Sequence, residues 1–183
     1  PIRFEALIWM ARAYNEIAEF REANRILTLL NGEAELPEEY LGALRITEAD
    51  YHLKHEKYLE SIPKLEAALE FNFDKHYRTR YTYLLAQLYQ ETGQSAKAVN
   101  AYRQVVRMNP PYELTFSARI NMAMAYRVGS GRADEIETDL RKMLKDDKNI
   151  DYQDQIYYAL GNISLEQGNE EEAIEYFRQS VRA

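Results

Sequence analysis

The sequence predicts an all-α fold in which five helix pairs stack into a solenoid. The first observation is a small residue that recurs every 37 or 38 residues in the first helix of each pair: Ala11, Ala49, Ala86, Ala123 and Gly161. The second is a matching position 12 or 13 residues later, in the second helix: Ala23, Ser61, Ala98, Ile136 and Ala173. A fixed period of this length is typical of stacked helical arrays, in which small residues let helices approach closely.

The third observation is that apolar residues at helical spacing run through nearly the whole chain, with only 7 glycines and 5 prolines. The predicted helices cover residues 3–17, 20–30, 38–54, 58–71, 76–92, 95–108, 112–128, 132–146, 151–167 and 170–182. The corresponding repeats cover residues 3–37, 38–74, 75–111, 112–149 and 150–183. No low-complexity linker separates them, so we expect a single array over residues 1–183.

Turn residues delimit the first two pairs. A turn at residues 18–19 separates the helices of the first pair, and Asn31 with Gly32 is expected to end the second helix. Pro37 stands at the start of the second pair, where its missing N–H costs little. Pro63 lies in the first turn or two of its helix and is expected to kink that end.

The third pair carries the clearest pattern. Leu85 and Tyr89 stripe its first helix, and Ser95 stands where an N-cap of the return helix is expected. The Asn-Pro-Pro sequence at residues 109–111 then stops the pair, because proline cannot occupy a helix interior and pushes its predecessor out of helical geometry.

The fourth pair has a Gly-Ser-Gly turn at residues 129–131 that carries one inserted residue, and the fifth turns at residues 168–169. Ile120, Met124 and Val128 are apolar at helical spacing in the fourth pair. They form either an exposed adhesive stripe or, more often for such a pattern, part of the core or a surface that a neighbouring segment covers.

Composition narrows the classes of function. The net charge of −7 argues against nucleic acid as a partner, since that role needs a clustered basic face. The absence of cysteine removes disulfides and thiolate metal sites, and no apolar run reaches the roughly 20 residues that span a bilayer. Both ends of the chain are interpreted as segment or processing boundaries, so any signal peptide, lipid anchor or neighbouring domain would lie outside this segment.

Two of the five units resemble the tetratricopeptide repeat (TPR). In the third unit the matching residues are Leu85, Ala86, Tyr89, Gly93, Ala98, Tyr102 and Pro110. In the fifth they are Tyr157, Leu160, Gly161, Gly168, Ala173, Phe177 and Ser180. The first unit matches more loosely, and Glu48, Ser61 and Ile136 mark the second and fourth as degenerate. The resemblance implies a right-handed α-solenoid of five TPR-like pairs that binds a protein or peptide without catalysis.

A narrower resemblance concerns residues 109–113, 142–149 and 154–162. These stretches look like a group of large TPR lipoproteins from gliding or type IX-secreting Bacteroidetes. That resemblance implies an envelope protein, anchored at the outer membrane and facing the periplasm, that assists protein secretion or gliding motility. Without it, the expected location is the cytoplasm.

The TPR resemblance also implies where a partner binds. The first helices of successive pairs line a groove, and the residues of those helices that face away from their partner helices form its surface. By register these are Arg12, Asn15, Ile46, Asp50, Arg80, Tyr83, Gln87, Gln90, Ile120, Asn121, Met124, Arg127, Tyr158 and Asn162. Aromatic, arginine and amide side chains suit protein recognition, although any solvated helix face contains some of them.

One specialised form of groove binding is disfavoured by the sequence, and one alternative function stays open. Some co-chaperone relatives grip a C-terminal carboxylate, but Asp50 at the corresponding place would repel one, while Arg12 or Arg80 remains able to meet an acidic side chain. A structural spacer is that alternative function. Its ends would stack on flanking domains, and the isolated segment would self-associate, because terminal repeats need a cap.

No candidate for catalysis or metal binding stands out. His52 and Glu56 lie four apart on one helix but lack a third convergent ligand, so packing is expected for His52, and His76 is expected at the surface near a helix start. The acidic residues at 146–154 lack the order of a calcium loop. No nucleophile motif or phosphate loop appears, so neither an enzyme nor a cofactor is expected.

Overall fold

The computed structural model describes residues 2–183, and within them the chain forms ten α-helices and no strand. The helices are α1 (Ile2–Glu16), α2 (Phe20–Gly32), α3 (Glu38–Lys54), α4 (Tyr58–Ala68), α5 (Lys75–Glu91), α6 (Ser95–Arg107), α7 (Tyr112–Ala125), α8 (Ala133–Met143), α9 (Gln153–Glu166) and α10 (Glu170–Arg182). A 3₁₀ segment, Asp147–Tyr152, precedes α9. The predicted ten helices and their pairing are therefore confirmed.

Three predicted helix ends were placed three residues too late. The helix expected over residues 58–71 ends at Ala68, and the other two ends are in the fourth pair. The fourth pair's first helix was expected to reach residue 128, but α7 ends at Ala125 because Tyr126 is extended, with ψ of 136°. Its second helix was expected to reach residue 146, but α8 ends at Met143, and a separate 3₁₀ segment follows. Inside that segment Asn149 is buried and donates to the Met143 carbonyl, which fixes the connection to α9.

The small positions that set the repeat are buried in every pair. All of the first-helix and second-helix positions are at most 3% exposed where a value is given, and Gly161 is also buried. Ser61, which departs from the usual alanine, donates its hydroxyl to the Ala49 carbonyl at 2.9 Å, so the polar group is satisfied at the close approach of α3 and α4. Gly161 faces Phe177 so closely that a Cβ would lie 2.5 Å from the ring.

Four of the five turns within pairs share one backbone device. A residue in the left-handed region follows the first helix, and the backbone N–H of the residue immediately after it donates to a carbonyl in the last turn or two of that helix. Glycine takes this conformation at Gly93 and Gly168, whereas Ala18 (φ 59°) and Glu56 (φ 56°) take it without glycine's freedom. In the third pair the Gln94 N–H donates to the Tyr89 carbonyl, and Gln94, not Ser95, is the N-cap residue, with no side-chain cap. The prediction of a Ser95 cap was wrong, because Ser95 is already the first residue of α6.

The chain divides into two compact units, the first ending at Tyr81 and the second beginning at Thr82, inside α5. In the first unit α1 packs on α2 and α3, and α3 packs on α4. Its core includes Ile8, Leu27, Leu30 and Leu44. In the second unit α7 packs on α6, α8 and α9, and α9 packs on α10. The predicted single array over the whole chain stays a prediction.

Candidate protein-binding surface

The predicted surface residues differ in accessibility. Arg80, Gln87, Arg127 and Tyr158 are exposed. The half-buried ones are Arg12, Ile46, Asp50, Tyr83, Gln90, Ile120, Asn121, Met124 and Asn162. Asn15 alone is buried, at 1% exposure. The expectation that the Asn15 side chain is open to a partner is therefore wrong, and its role lies behind the surface.

In the first unit, side chains of α1 and α3 are joined across the helices. The Arg12 Nε donates to the Thr47 hydroxyl at 3.1 Å. One turn further along, the Asn15 amide donates to the Asp50 carboxylate at 2.9 Å and to the Thr47 carbonyl at 3.3 Å. These bonds fix the orientation of Arg12 and Asp50, which together form what we call the α1–α3 face.

The α1–α3 face also has an aromatic component that the register prediction missed. The Arg12 guanidinium carbon lies 4.9 Å from the centroid of the Trp9 ring, which is 59% exposed. Trp9 precedes Arg12 by three residues and so lies on the same side of the helix, a spacing that was readable from the sequence. Arg80, in the first turns of α5, is exposed and lies within 3.3 Å of the His76 ring nitrogen. His76 is exposed beside the start of α5, as predicted.

In the second unit, the first helices carry a similar series of cross-helix contacts, which we call the α5–α9 face. The Asn121 amide of α7 donates to the Tyr83 hydroxyl of α5 at 2.7 Å. Burial raises the pKa of Tyr83, and the hydrogen bond from Asn121 acts in the opposite direction. One repeat further on, the Asn162 amide of α9 donates to the Met124 sulfur at 3.3 Å. Both contacts join residues 38 apart, so they follow the repeat.

The α5–α9 face includes a depression between α7 and α9. It has a volume of about 420 Å³ and is lined by Ile120, Met124, Asp154, Gln155, Tyr158 and Ser180. The Tyr158 ring is 49% exposed and lies 5.6 Å from Phe177. Ile120 and Met124, which were predicted to be either exposed or covered, are half-buried and form the apolar wall of this depression. Val128 lies beyond the end of α7 and is 71% exposed, so the predicted stripe of three stops at Met124.

Two predicted residues are held by partners at the edges of the α5–α9 face. Gln90 accepts a hydrogen bond from the buried Tyr102 hydroxyl at 2.8 Å, and burial raises the pKa of Tyr102 far above its ordinary value. Arg127 pairs with Glu166 at 3.4 Å and donates to the Tyr126 carbonyl at 2.7 Å. Gln87 precedes Gln90 by three residues on α5 and is exposed.

A buried polar cluster around Glu48 in the first unit was not predicted from the sequence. Glu48 is 5% exposed and contacts Arg45 at 2.6 Å, Asn31 at 2.7 Å and Lys64 at 3.1 Å. Burial acts to raise the pKa of Glu48, but these hydrogen bonds outweigh it, so the pKa lies below its ordinary value. The cluster explains how a carboxylate occupies a repeat position where an apolar residue is usual.

His52 has the packing environment that was expected for it. Its ring contacts Tyr51 at 5.4 Å, and burial lowers its pKa, with the Lys64 charge acting in the same direction. The His52 Nδ1 is buried and has no hydrogen-bond partner among the described residues. Residues 2–183 contain no group of three or more His, Asp or Glu side chains placed to hold a metal ion. Likewise, no helix in this range has the length and apolar content that crossing a membrane requires.

Pairs of antiparallel helices with small residues at their contacts and polar, aromatic first-helix faces define a helical-repeat protein. A family model described as tetratricopeptide repeat matches residues 79–112 and 154–183, that is, the third and fifth units. These two segments, where the sequence pattern is clearest, are therefore similar to tetratricopeptide repeats. No curated protein matches the sequence.

Solved structures share the fold over nearly the whole chain. A MamA structure (MSR-1) is 18% identical, with a TM-score of 0.66, and the match covers 100% of this chain and 97% of that one. A putative kinesin light chain of Podosopora anserina with nearly identical TPR-like repeats is 19% identical, with a TM-score of 0.67 and coverage of 98% and 94%. BtubC (BKLC) from P. vanneervenii is 16% identical, with a TM-score of 0.61 and coverage of 100% and 81%. At these identities the likeness shows the fold alone, and it confirms the all-α class of TPR-like helix pairs.

Proposed function

We propose that this protein is a noncatalytic scaffold that binds a protein or peptide through the exposed faces of its first helices. The observation that carries the proposal is the α5–α9 face, where cross-helix bonds hold Tyr83, Asn121 and Asn162 in place beside an apolar depression. Side chains that are already ordered lose little entropy when a partner docks. The exposed ring of Tyr158 and the flexible Met124 supply the apolar and aromatic contacts that recognition surfaces use.

A display library of random peptides, selected on the whole chain, tests this proposal. Enriched peptides are then titrated against Tyr158→Ala and against a double charge reversal, Arg80→Glu with Arg127→Glu. We expect binding to weaken about tenfold or more for Tyr158→Ala, in the range of an aromatic interface residue. Gln104→Ala, at an exposed position of the second helix α6, is the matched control. Peptides that depend on Gln104 and not on Tyr158 would contradict the proposal.

A second candidate function is a structural spacer whose ends stack on flanking segments. The supporting observation is an apolar depression of about 830 Å³ on α1 and α2, lined in part by Met10 and Leu29, each 46% exposed. The spacer function predicts self-association that Leu29→Glu abolishes. Analytical ultracentrifugation of the wild type and the variant, with and without flanking sequence, tests this, and a strict monomer throughout would count against it.

The narrower function, an outer-membrane-anchored accessory factor in secretion or gliding motility, is also proposed. It rests on the resemblance of residues 109–113, 142–149 and 154–162, and the comparisons do not support that particular group. Fractionation of cells that produce the full-length protein tests the location. Recovery in the soluble cytoplasmic fraction would refute it.

A further inference from the structure

Arg12 is the most fully oriented cation on the α1–α3 face. Its Nε donates to the Thr47 hydroxyl at 3.1 Å, and that hydroxyl donates in turn to the Ala43 carbonyl at 2.8 Å. Thr47 is fully buried, so its position is fixed by the core. The guanidinium plane is supported from one side by Trp9, 4.9 Å away. Arg12 is therefore held at one nitrogen and by stacking.

The rest of the Arg12 fork is available. No hydrogen bond or ion pair of its two terminal nitrogens occurs within residues 2–183, and the two acidic residues nearest to it by register, Asp50 and Glu16, are bound by Asn15 and Lys54. A guanidinium that is held at Nε and unpaired at both terminal nitrogens matches the two oxygens of a carboxylate. The core thus prepares a bidentate donor on the surface of a chain whose net charge is −7.

One aromatic side chain contacts this donor, and α5 presents two more. Trp9 is 59% exposed, and Tyr77 on α5 is 52% exposed and stacks on Tyr81 at 6.2 Å. Burial raises the pKa of Tyr81, and the charge of Arg12 acts against that rise. Arg80 adds a second exposed positive charge on the same turn of α5.

We propose that the α1–α3 face binds an acidic segment of a partner polypeptide, with Arg12 as the bidentate anchor for an aspartate or glutamate side chain. An apolar or aromatic residue next to that carboxylate covers Trp9. This inference rests on the proposed function and names the partner chemistry of one part of the surface.

The geometry favours an internal carboxylate over two other anions. A phosphate dianion would need two oriented cations, but of Arg12 and Arg80 it is Arg12 that is bonded to a buried side chain, and the Asp50 carboxylate stands one helical turn away. An internal acidic residue has a neighbour on each side along its chain that can cover Trp9, whereas a C-terminal residue has a neighbour on one side only.

Trp9 is the chain's one tryptophan, so its emission reports binding at this face directly. The probes are acetylated, amidated dodecapeptides without tryptophan: a pool with a central glutamate flanked by leucine and tyrosine, and the same pool with glutamine. We expect the glutamate pool to bind the wild type about tenfold more tightly or better, as a charge-assisted fork requires. Arg12→Met should abolish this preference. Arg12→Lys and Thr47→Val should each reduce it about three- to fivefold, since one loses the fork and the other its orientation.

Arg21→Gln, at an exposed position of α2, is the matched control and should keep the full preference. Thermal melts of each variant show whether the fold persists, and Arg12→Lys keeps the test decisive if Arg12→Met unfolds. Equal binding of both pools, or a preference that survives Arg12→Met, overturns the inference. So does tighter binding of a phosphoserine pool or of a pool with a free C-terminus. If peptides bind in a way that depends on Tyr158 but show no preference for glutamate over glutamine, this inference is refuted and the proposed function is not. If no peptide binds at all, the proposed function is refuted as well.

Discussion

Replacing Glu48 by glutamine tests how this fold holds a buried carboxylate. The variant keeps the shape and one oxygen that accepts from Asn31, but it removes the charge that Arg45 and Lys64 contact at 2.6 and 3.1 Å. Breaking a buried ion pair typically costs about 3–5 kcal/mol. Here the cations are 28% and 34% exposed and regain hydration, so we expect a loss of about 2 kcal/mol. For a chain of this size that loss lowers the melting temperature by about 4–8 °C.

The pH dependence separates charge from shape in this variant. The pKa of Glu48 is lowered in the folded protein, so its stabilisation is present above the ordinary glutamate pKa of about 4.5 and is lost as pH falls through the folded value. The difference in free energy of unfolding between wild type and Glu48→Gln, measured in urea, should therefore be constant from about pH 7 to about pH 5 and shrink below that. Glu70→Gln, at an exposed site of the same unit, is the control. Equal stability at neutral pH, or a difference that ignores pH, would refute the reasoning.

Further substitutions test the helix packing, the turns within pairs and a buried polar group. Gly161→Ala should lose about 1 kcal/mol, because contact with the Phe177 ring at 2.5 Å exceeds the gain in helix propensity, and calorimetry should show that Phe177→Leu removes the loss. Ala18→Gly should raise the free energy of unfolding in urea by about 0.5–1 kcal/mol, because glycine relieves the φ of 59°. Gly93→Ala should lower it by about 1 kcal/mol, and a loss for Ala18→Gly or a gain for Gly93→Ala would contradict this explanation of the turns. His52→Phe should gain about 1 kcal/mol by removing an unpaired buried nitrogen. Since the pKa of His52 is lowered, the wild type alone should lose stability from this site as pH falls below about 6.5, and a parallel pH profile in the variant would refute this.

The candidate surface was only partly readable from the sequence. Register placed Tyr83, Asn121 and Tyr158 on first-helix faces, and the structure finds them there. Register did not show that Asn15 is buried, because the burial of this α1 side chain depends on how closely α3 approaches α1. The spacing of Trp9 from Arg12 was readable from the sequence, but the contact between their side chains depends on the rotamers that the packed structure selects.

The sequence by itself determined the helix pairs and their contacts. Small residues every 37 or 38 positions must meet wherever two helices cross closely, and glycine or proline must stand where a helix stops, so local chemistry was enough. Tertiary structure decided which polar groups are paired. Glu48 is bonded to Asn31, which precedes it by 17 residues, and to Lys64, which follows it by 16. Arg12 is bonded to Thr47, which is 35 residues away. Such bonds depend on distances between separate helices, which no single stretch of the chain encodes.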